Sequence, residues 1–90
     1  MESKALLKIN NELGLHARSA AKIVALTGEY KAALFLKKDN HEVDGSSILA
    51  ILTLACPKGT EIEARAVGEE SEGLITALGQ LFEQKFGEGK

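Results

Sequence analysis

The sequence predicts an α+β fold, a four-stranded antiparallel sheet with three helices on one face, in the order β-α-β-β-α-β-α. Three observations carry this. Apolar and polar residues alternate along 3–9, 31–38 and 60–67, the period of a half-exposed strand. Between and after these stretches, apolar residues recur at helical spacing over 17–28 and 69–87. Each strand has a single apolar face, so one layer of helices suffices to cover the sheet and the other face meets water.

The elements follow in order. In 3–9, Ala5, Leu7 and Ile9 share one face and Lys4, Leu6 and Lys8 the other. Residues 10–14, "NNELG", have turn chemistry. The helix over 17–28 places Ala17, Ala20, Ala21 and Val24 at helical spacing, with Gly28 as its stop. Ala32, Leu34 and Leu36 define the inner face of the second strand. Asp39 and Asn40 can then turn a hairpin into a short third strand over 41–45. In "SSILAILTLA" (46–55), a serine cap precedes Ile48, Leu49, Ile51, Leu52 and Ala55, which fits a short helix ended by Pro57 and Gly59. Ile62, Ala64 and Ala66 face inward from 60–67, against Glu61, Glu63 and Arg65. The stretch 69–87 opens acidic, carries Leu74, Leu78, Leu81 and Phe82 on one stripe, has Lys85 late and ends at Gly87. Leu6 and Phe35 fall on the wet face of the sheet as a small apolar patch.

Composition narrows the function. Ninety residues are expected to form one domain over 1–90, with a stability of roughly 5–13 kcal/mol. No apolar run approaches the ~20 residues of a membrane span, and the lysine-interrupted start lacks the organisation of a signal peptide. The formal net charge of −2, with both signs interspersed, argues against a nucleic-acid partner. The single cysteine, Cys56, excludes an internal disulfide and a multi-cysteine zinc site. A cytoplasmic protein without a cofactor is expected.

The chemistry concentrates in "GLHARSAAKIV" (14–24), where a histidine and an arginine stand two residues apart at the mouth of a helix. A helix start favours negative charge, because its first N–H groups lack partners. This stretch supplies no anion, so one reading is that the anion arrives from outside. With His16 as the cap, the free N–H groups of the first turn can hold an oxyanion. The positive helix end disfavours a protonated ring, which leaves a nucleophilic imidazole. Arg18 can neutralise and fork-bind a phosphoryl group. Imidazole, N–H nest and guanidinium together suit reversible phosphorylation of histidine. The bland alternative is a surface cap with an arginine nearby.

The longer string "LGLHARSAAKIV" resembles the active-site segment of HPr, the histidine-containing phosphocarrier family of the bacterial phosphoenolpyruvate:sugar phosphotransferase system. In that family a "GLHARPA" segment joins the first strand to the first helix. A second string, "VDGSSILAILTLACPKGTEI", resembles the stretch that carries the family's regulatory serine, and the spacing between the two matches without an insertion. The resemblance covers essentially the whole chain and implies the family's open-faced β-sandwich. It also implies that His16 accepts a phosphoryl group on its δ nitrogen from enzyme I and passes it to a sugar-specific enzyme IIA. Arg18 would stabilise the phosphohistidine, and the protein would be a stoichiometric carrier, a monomer, rather than an enzyme. Ser19 departs from the pattern, which usually has proline there. That departure leaves open a regulatory, nitrogen-linked paralogue acting mainly as a binding module.

Ser46 and Ser47 compete for the cap of the second helix. The resemblance selects Ser47 as the serine modified by HPr kinase/phosphorylase, whereas the residues alone favour a plain N-cap. A phosphate there would lie beside Ile48, Leu49 and Leu52, which the short helix cannot bury completely. The resemblance implies that this apolar patch, with Ala17, Ser19 and Ala20, docks against partners. Cys56 is expected to be a small buried or half-buried residue, and His41 to be exposed after the hairpin. Neither has the company a metal or redox site needs. Glu61 and Glu63 are most simply a solvated strand face. A hydrolase is disfavoured by the missing nucleophile elbow.

Overall fold

The structure, a computed structural model, describes residues 1–90. Its elements are β1 (Glu2–Lys8), α1 (Ala17–Thr27), β2 (Ala33–Lys38), β3 (His41–Asp44), α2 (Ile48–Leu52), β4 (Glu61–Val67) and α3 (Ser71–Glu83). The strands form one antiparallel sheet in the order β1-β4-β2-β3. The element order and the single sheet are those predicted.

Register follows from the alternation. Leu7 pairs with Ile62 and Leu36 with Ala64, so the apolar sides of β1, β4 and β2 coincide on one face. Leu34, Leu36, Val43, Ile62, Ala64 and Ala66 are buried there. Ile23 of α1, Ile51 of α2, and Leu74, Leu78 and Phe82 of α3 complete the core from the helix layer. Alanines at 64 and 66 on β4, one of the two interior strands, leave room for α3, which packs on β1 and β4. On the outer face Leu6 is 66% exposed. Phe35 is instead covered by Arg65, whose guanidinium carbon lies 4.4 Å from the ring centroid and whose nitrogens pair with Glu2 and Glu42. Asp39 and Asn40 both have positive φ (50° and 67°), the backbone that a two-residue hairpin requires.

Three boundaries or faces differ from expectation. The buried stripe of α1 is Ser19, Ala20, Ile23 and Thr27, while Ala17 and Ala21 are exposed. Ile23 is large enough to take the centre of the stripe. The two hydroxyls can lie in it because each is bonded to backbone, Thr27 Oγ1 donating to the Ile23 carbonyl at 2.8 Å and Ser19 Oγ accepting from the His16 N–H at 2.9 Å. Helix α2 stops at Leu52. Ala55 lies beyond it, exposed and in left-handed backbone (φ 52°), while Leu54 and Cys56 on either side turn inward. Helix α3 ends at Glu83 rather than Gly87, because Lys85, Phe86 and Gly87 all have positive φ. That reversal buries Phe86 with its ring centroid 4.9 Å from that of Phe82.

Candidate functional site

The loop between β1 and α1 is pinned before it reaches His16. Gly14 is buried with φ +69°, and a Cβ there would lie 2.3 Å from the Cys56 carbonyl oxygen, so only glycine fits. The same carbonyl accepts the Leu15 N–H at 2.8 Å. Asn11, fully buried, donates from Nδ2 to the Gly14 carbonyl at 2.8 Å. The segment after α2 and Asn11, in the turn beyond β1, thus hold the chain where it enters the helix.

His16 is the N-cap of α1, in extended backbone (φ −136°, ψ −179°). Its Nδ1 accepts the Arg18 backbone N–H at 3.2 Å, and its own N–H donates to Ser19 Oγ at 2.9 Å. A backbone N–H can only donate, so Nδ1 carries the ring's lone pair and Nε2 its proton. Nε2–H points the other way, to Glu88 Oε2 at 2.6 Å. The His16 side chain is 28% exposed. Arg18 is exposed and takes part in none of the four ion pairs. Beside it lies a hollow lined by Arg18, Lys22 and Lys90 with Glu12, Leu13 and Glu88.

The helix mouth is therefore not without an anion, as the local sequence suggests. Glu88 supplies one from far along the chain. Burial pushes its carboxyl up, but hydrogen bonds from Asn11 and His16, with the Arg18 charge, outweigh that and hold it below the ordinary carboxylate value. Sequence reasoning missed Glu88 because 72 positions separate it from His16. Its only signal is a carboxylate set between Gly87 and Gly89 just after an apolar Phe86.

The second predicted site is built differently. Ser47 caps α2, its Oγ accepting the Ala50 N–H at 3.2 Å. Ser46 is turned away: its N–H and Oγ both donate to Asp44 Oδ1, at 2.8 and 2.7 Å, and these bonds hold the Asp44 carboxyl below its usual value. Leu49 is 77% exposed, Ile48 is exposed and Leu52 half-buried. Helices α1 and α2 pack together, so this patch and the exposed Ala17 belong to one helix layer. Ser19 and Ala20 are fully buried, which removes both from any docking surface; their side chains face the core and the cap. Leu13 at the rim of the hollow is exposed instead.

Of the remaining candidates, Cys56 is buried, and burial pushes its thiol up, the opposite of an activated cysteine. His41 is exposed on β3 with its Nε2 3.5 Å from Thr53 Oγ1. Glu61 and Glu63 are exposed on β4. No helix is long and apolar enough to cross a membrane.

Fold and site together describe a histidine presented at a helix mouth on an open-faced sandwich. The family described as "PTS HPr component phosphorylation site" matches residues 4–84, and the chain belongs to this HPr family of phosphocarrier proteins of the phosphotransferase system. It is 39% identical to the phosphocarrier protein HPr of Pseudomonas aeruginosa over 85 residues, 93% of this chain and 94% of that one. It is also 36% identical to the phosphocarrier protein NPr of Escherichia coli K12 over 89 residues, 98% and 99% of the two chains. Among solved structures, HPr-C-His from Thermoanaerobacter tengcongensis superposes with a TM-score of 0.91 at 36% identity, covering 96% of this chain and 97% of that one.

Proposed function

We propose that the protein accepts a phosphoryl group on His16 Nδ1 from phospho-enzyme I and passes it to enzyme IIA domains, as a stoichiometric carrier. One observation carries the reading: Nδ1 faces the Arg18 backbone N–H at the mouth of α1, while Nε2 meets Glu88 Oε2 on the far side of the ring. In the transfer Nδ1 forms its bond to phosphorus as the donor's bond breaks, and that bond's electron pair stays with the donor. The Arg18 N–H that now meets Nδ1 is placed to turn to a phosphoryl oxygen, and the free Arg18 guanidinium offsets the added charge. No proton has to leave the ring. Ile48, Leu49, Leu52 and Ala17 form the docking surface. A phosphate on Ser47 from an HPr kinase/phosphorylase would place nearly two negative charges at its rim.

The test is mass and phosphorus NMR after incubation with enzyme I, magnesium and phosphoenolpyruvate. One acid-labile, base-stable phosphoryl group is expected, absent in His16→Ala; labelling that survives His16→Ala would remove the assignment. A second reading is a nitrogen-linked regulatory paralogue in which docking matters more than sugar uptake. It is favoured by Ser19 in place of the usual proline and by the likeness to NPr. Donation from the phosphorylated protein to a sugar-specific IIA domain separates the two: efficient donation speaks for the sugar relay.

A further inference from the structure

We propose that Glu88 is a positioning residue for His16. Its carboxylate, delivered by the turn after α3, fixes the ring as the Nε2–H tautomer and aims a bare Nδ1 at the helix mouth. The inference rests on the carrier reading and deepens it.

Both oxygens of the carboxylate are engaged. Oε2 accepts from His16 Nε2–H at 2.6 Å, and Oε1 accepts from Asn11 Nδ2 at 2.8 Å. Asn11 is itself fixed by its bond to the Gly14 carbonyl, two residues before His16. The loop that presents the histidine therefore also grips the carboxylate that orients it. The Glu88 side chain is only 8% exposed, so water competes poorly for either oxygen. A carboxylate can only accept, so a ring with its proton on Nδ1 would set an Nε2 lone pair against Oε2. The Arg18 N–H at Nδ1 selects the same tautomer from the other side.

The delivery is costly in backbone terms. Lys85 (φ 55°) and Phe86 (φ 56°) both occupy the left-handed region, followed by Gly87 (φ 76°). Side-chain-bearing residues rarely do so unless the surroundings force it. Here the forcing groups are visible. The Phe86 ring is buried against Phe82, Lys22 Nζ donates to the Phe86 carbonyl, and the Glu12 N–H donates to the Lys90 carbonyl at 3.1 Å. The result of the reversal is to return Glu88 to the mouth of α1.

The placement fits the chemistry. When Nδ1 bonds to phosphorus, the ring is substituted at both nitrogens and becomes positively charged. The carboxylate at Nε2–H balances that charge. When the phosphoryl group moves on, the electron pair of the N–P bond returns to Nδ1 and the ring is neutral again, with its proton still on Nε2.

The experiment is long-range proton–nitrogen NMR of the His16 ring, with the ring unprotonated, in the unmodified protein, Glu88→Ala and Glu88→Gln. It is paired with single-turnover uptake from phospho-enzyme I. The unmodified ring should show a bare Nδ1 and a protonated Nε2. In Glu88→Ala a population with Nδ1–H should appear, and the saturating rate constant should fall about tenfold, the scale of losing an orienting partner. The half-saturating concentration should not change, since the effect is on the reacting nitrogen rather than on docking. Glu88→Gln, nearly isosteric, has one oxygen for two donors and should lie between. An Nδ1–H ring in the unmodified protein would overturn the proposal. So would an unchanged spectrum and rate in Glu88→Gln, whether or not Glu88→Ala folds. No uptake by the unmodified protein would overturn the carrier reading and this one together, whereas uptake with unaltered variants overturns this one alone.

Discussion

Ser19 replaces a rigid residue by one that bonds. In place of the φ restraint of proline it gives its Oγ to the His16 N–H at 2.9 Å, closing a reciprocal cap with the ring. Ser19→Ala should leave that N–H unpaired beside a fully buried position and destabilise the protein by about 1 kcal/mol. Ser19→Pro loses the same bond, worth about 0.5–1.5 kcal/mol, but restricts the unfolded chain by about 0.4–1 kcal/mol. The two nearly cancel, and urea midpoints should place Ser19→Pro within about 0.5 kcal/mol of the unmodified protein. A loss as large as that of alanine would mean that the proline ring does not fit the buried pocket around Ser19. At this scale His16 and Arg18 were legible because the cap, its N–H partner and the guanidinium lie within three residues. Glu88 was not, because no local rule connects it to residue 16.

The elements show the same division. Strand alternation and the serine cap follow from neighbours along the chain, and the strands and the start of α2 appear where the sequence puts them to within about two residues. The end of α3 does not follow so simply, because acidic start, apolar stripe and late lysine describe a helix equally well to 83 or to 87. What decides is tertiary: Phe86 gains more by turning back onto Phe82 than by continuing the helix. Phe86→Ala should therefore cost about 3–5 kcal/mol and free the turn that carries Glu88. Calorimetry and the His16 ring spectrum should change together, and a full loss of stability with an unaltered ring would show that Glu88 reaches His16 without the turn. For α2, Ser47→Ala removes the cap bond to Ala50 and should cost about 1 kcal/mol. Ser47→Asp keeps a capping oxygen but puts a charge beside Ile48 and Leu49. It should weaken docking to enzyme I severalfold with stability nearly preserved, as titration calorimetry can read; equal affinity would place the docking surface elsewhere.

At the scale of the whole molecule, three carboxyls, two of which tie distant parts of the chain, set how stability depends on pH. Hydrogen bonds from Arg65 hold Glu42 below its ordinary value, those from Ser46 hold Asp44 down, and those from Asn11 and His16 outweigh burial at Glu88. Each folded value lies below the unfolded one. The unfolded chain therefore binds more protons in between, and stability rises with pH across that window. The contribution is whole above the unfolded carboxyl range of 3.8–4.5 and is lost as the pH falls through the lower folded values. Cys56 has the opposite sign: burial raises its thiol above 9.0, so its contribution is present below that pH and lost above it as the unfolded thiol ionises. Urea midpoints should therefore form a plateau between about pH 5 and 8, falling on both sides. Glu88→Ala should flatten part of the acid limb and leave the alkaline limb unchanged. The alkaline limb has its own check in Cys56→Ser, which should remove the ionisation-linked fall. Because the Cys56 carbonyl accepts the Leu15 N–H and walls off Gly14, any opening that exposes the thiol also releases the loop before His16. Alkylation of Cys56 by iodoacetamide should then be slow in the folded protein and accelerate with urea along the global unfolding curve. Rapid alkylation in native buffer would show instead that the segment after α2 opens by itself, and that the histidine loop is held less firmly than its hydrogen bonds imply.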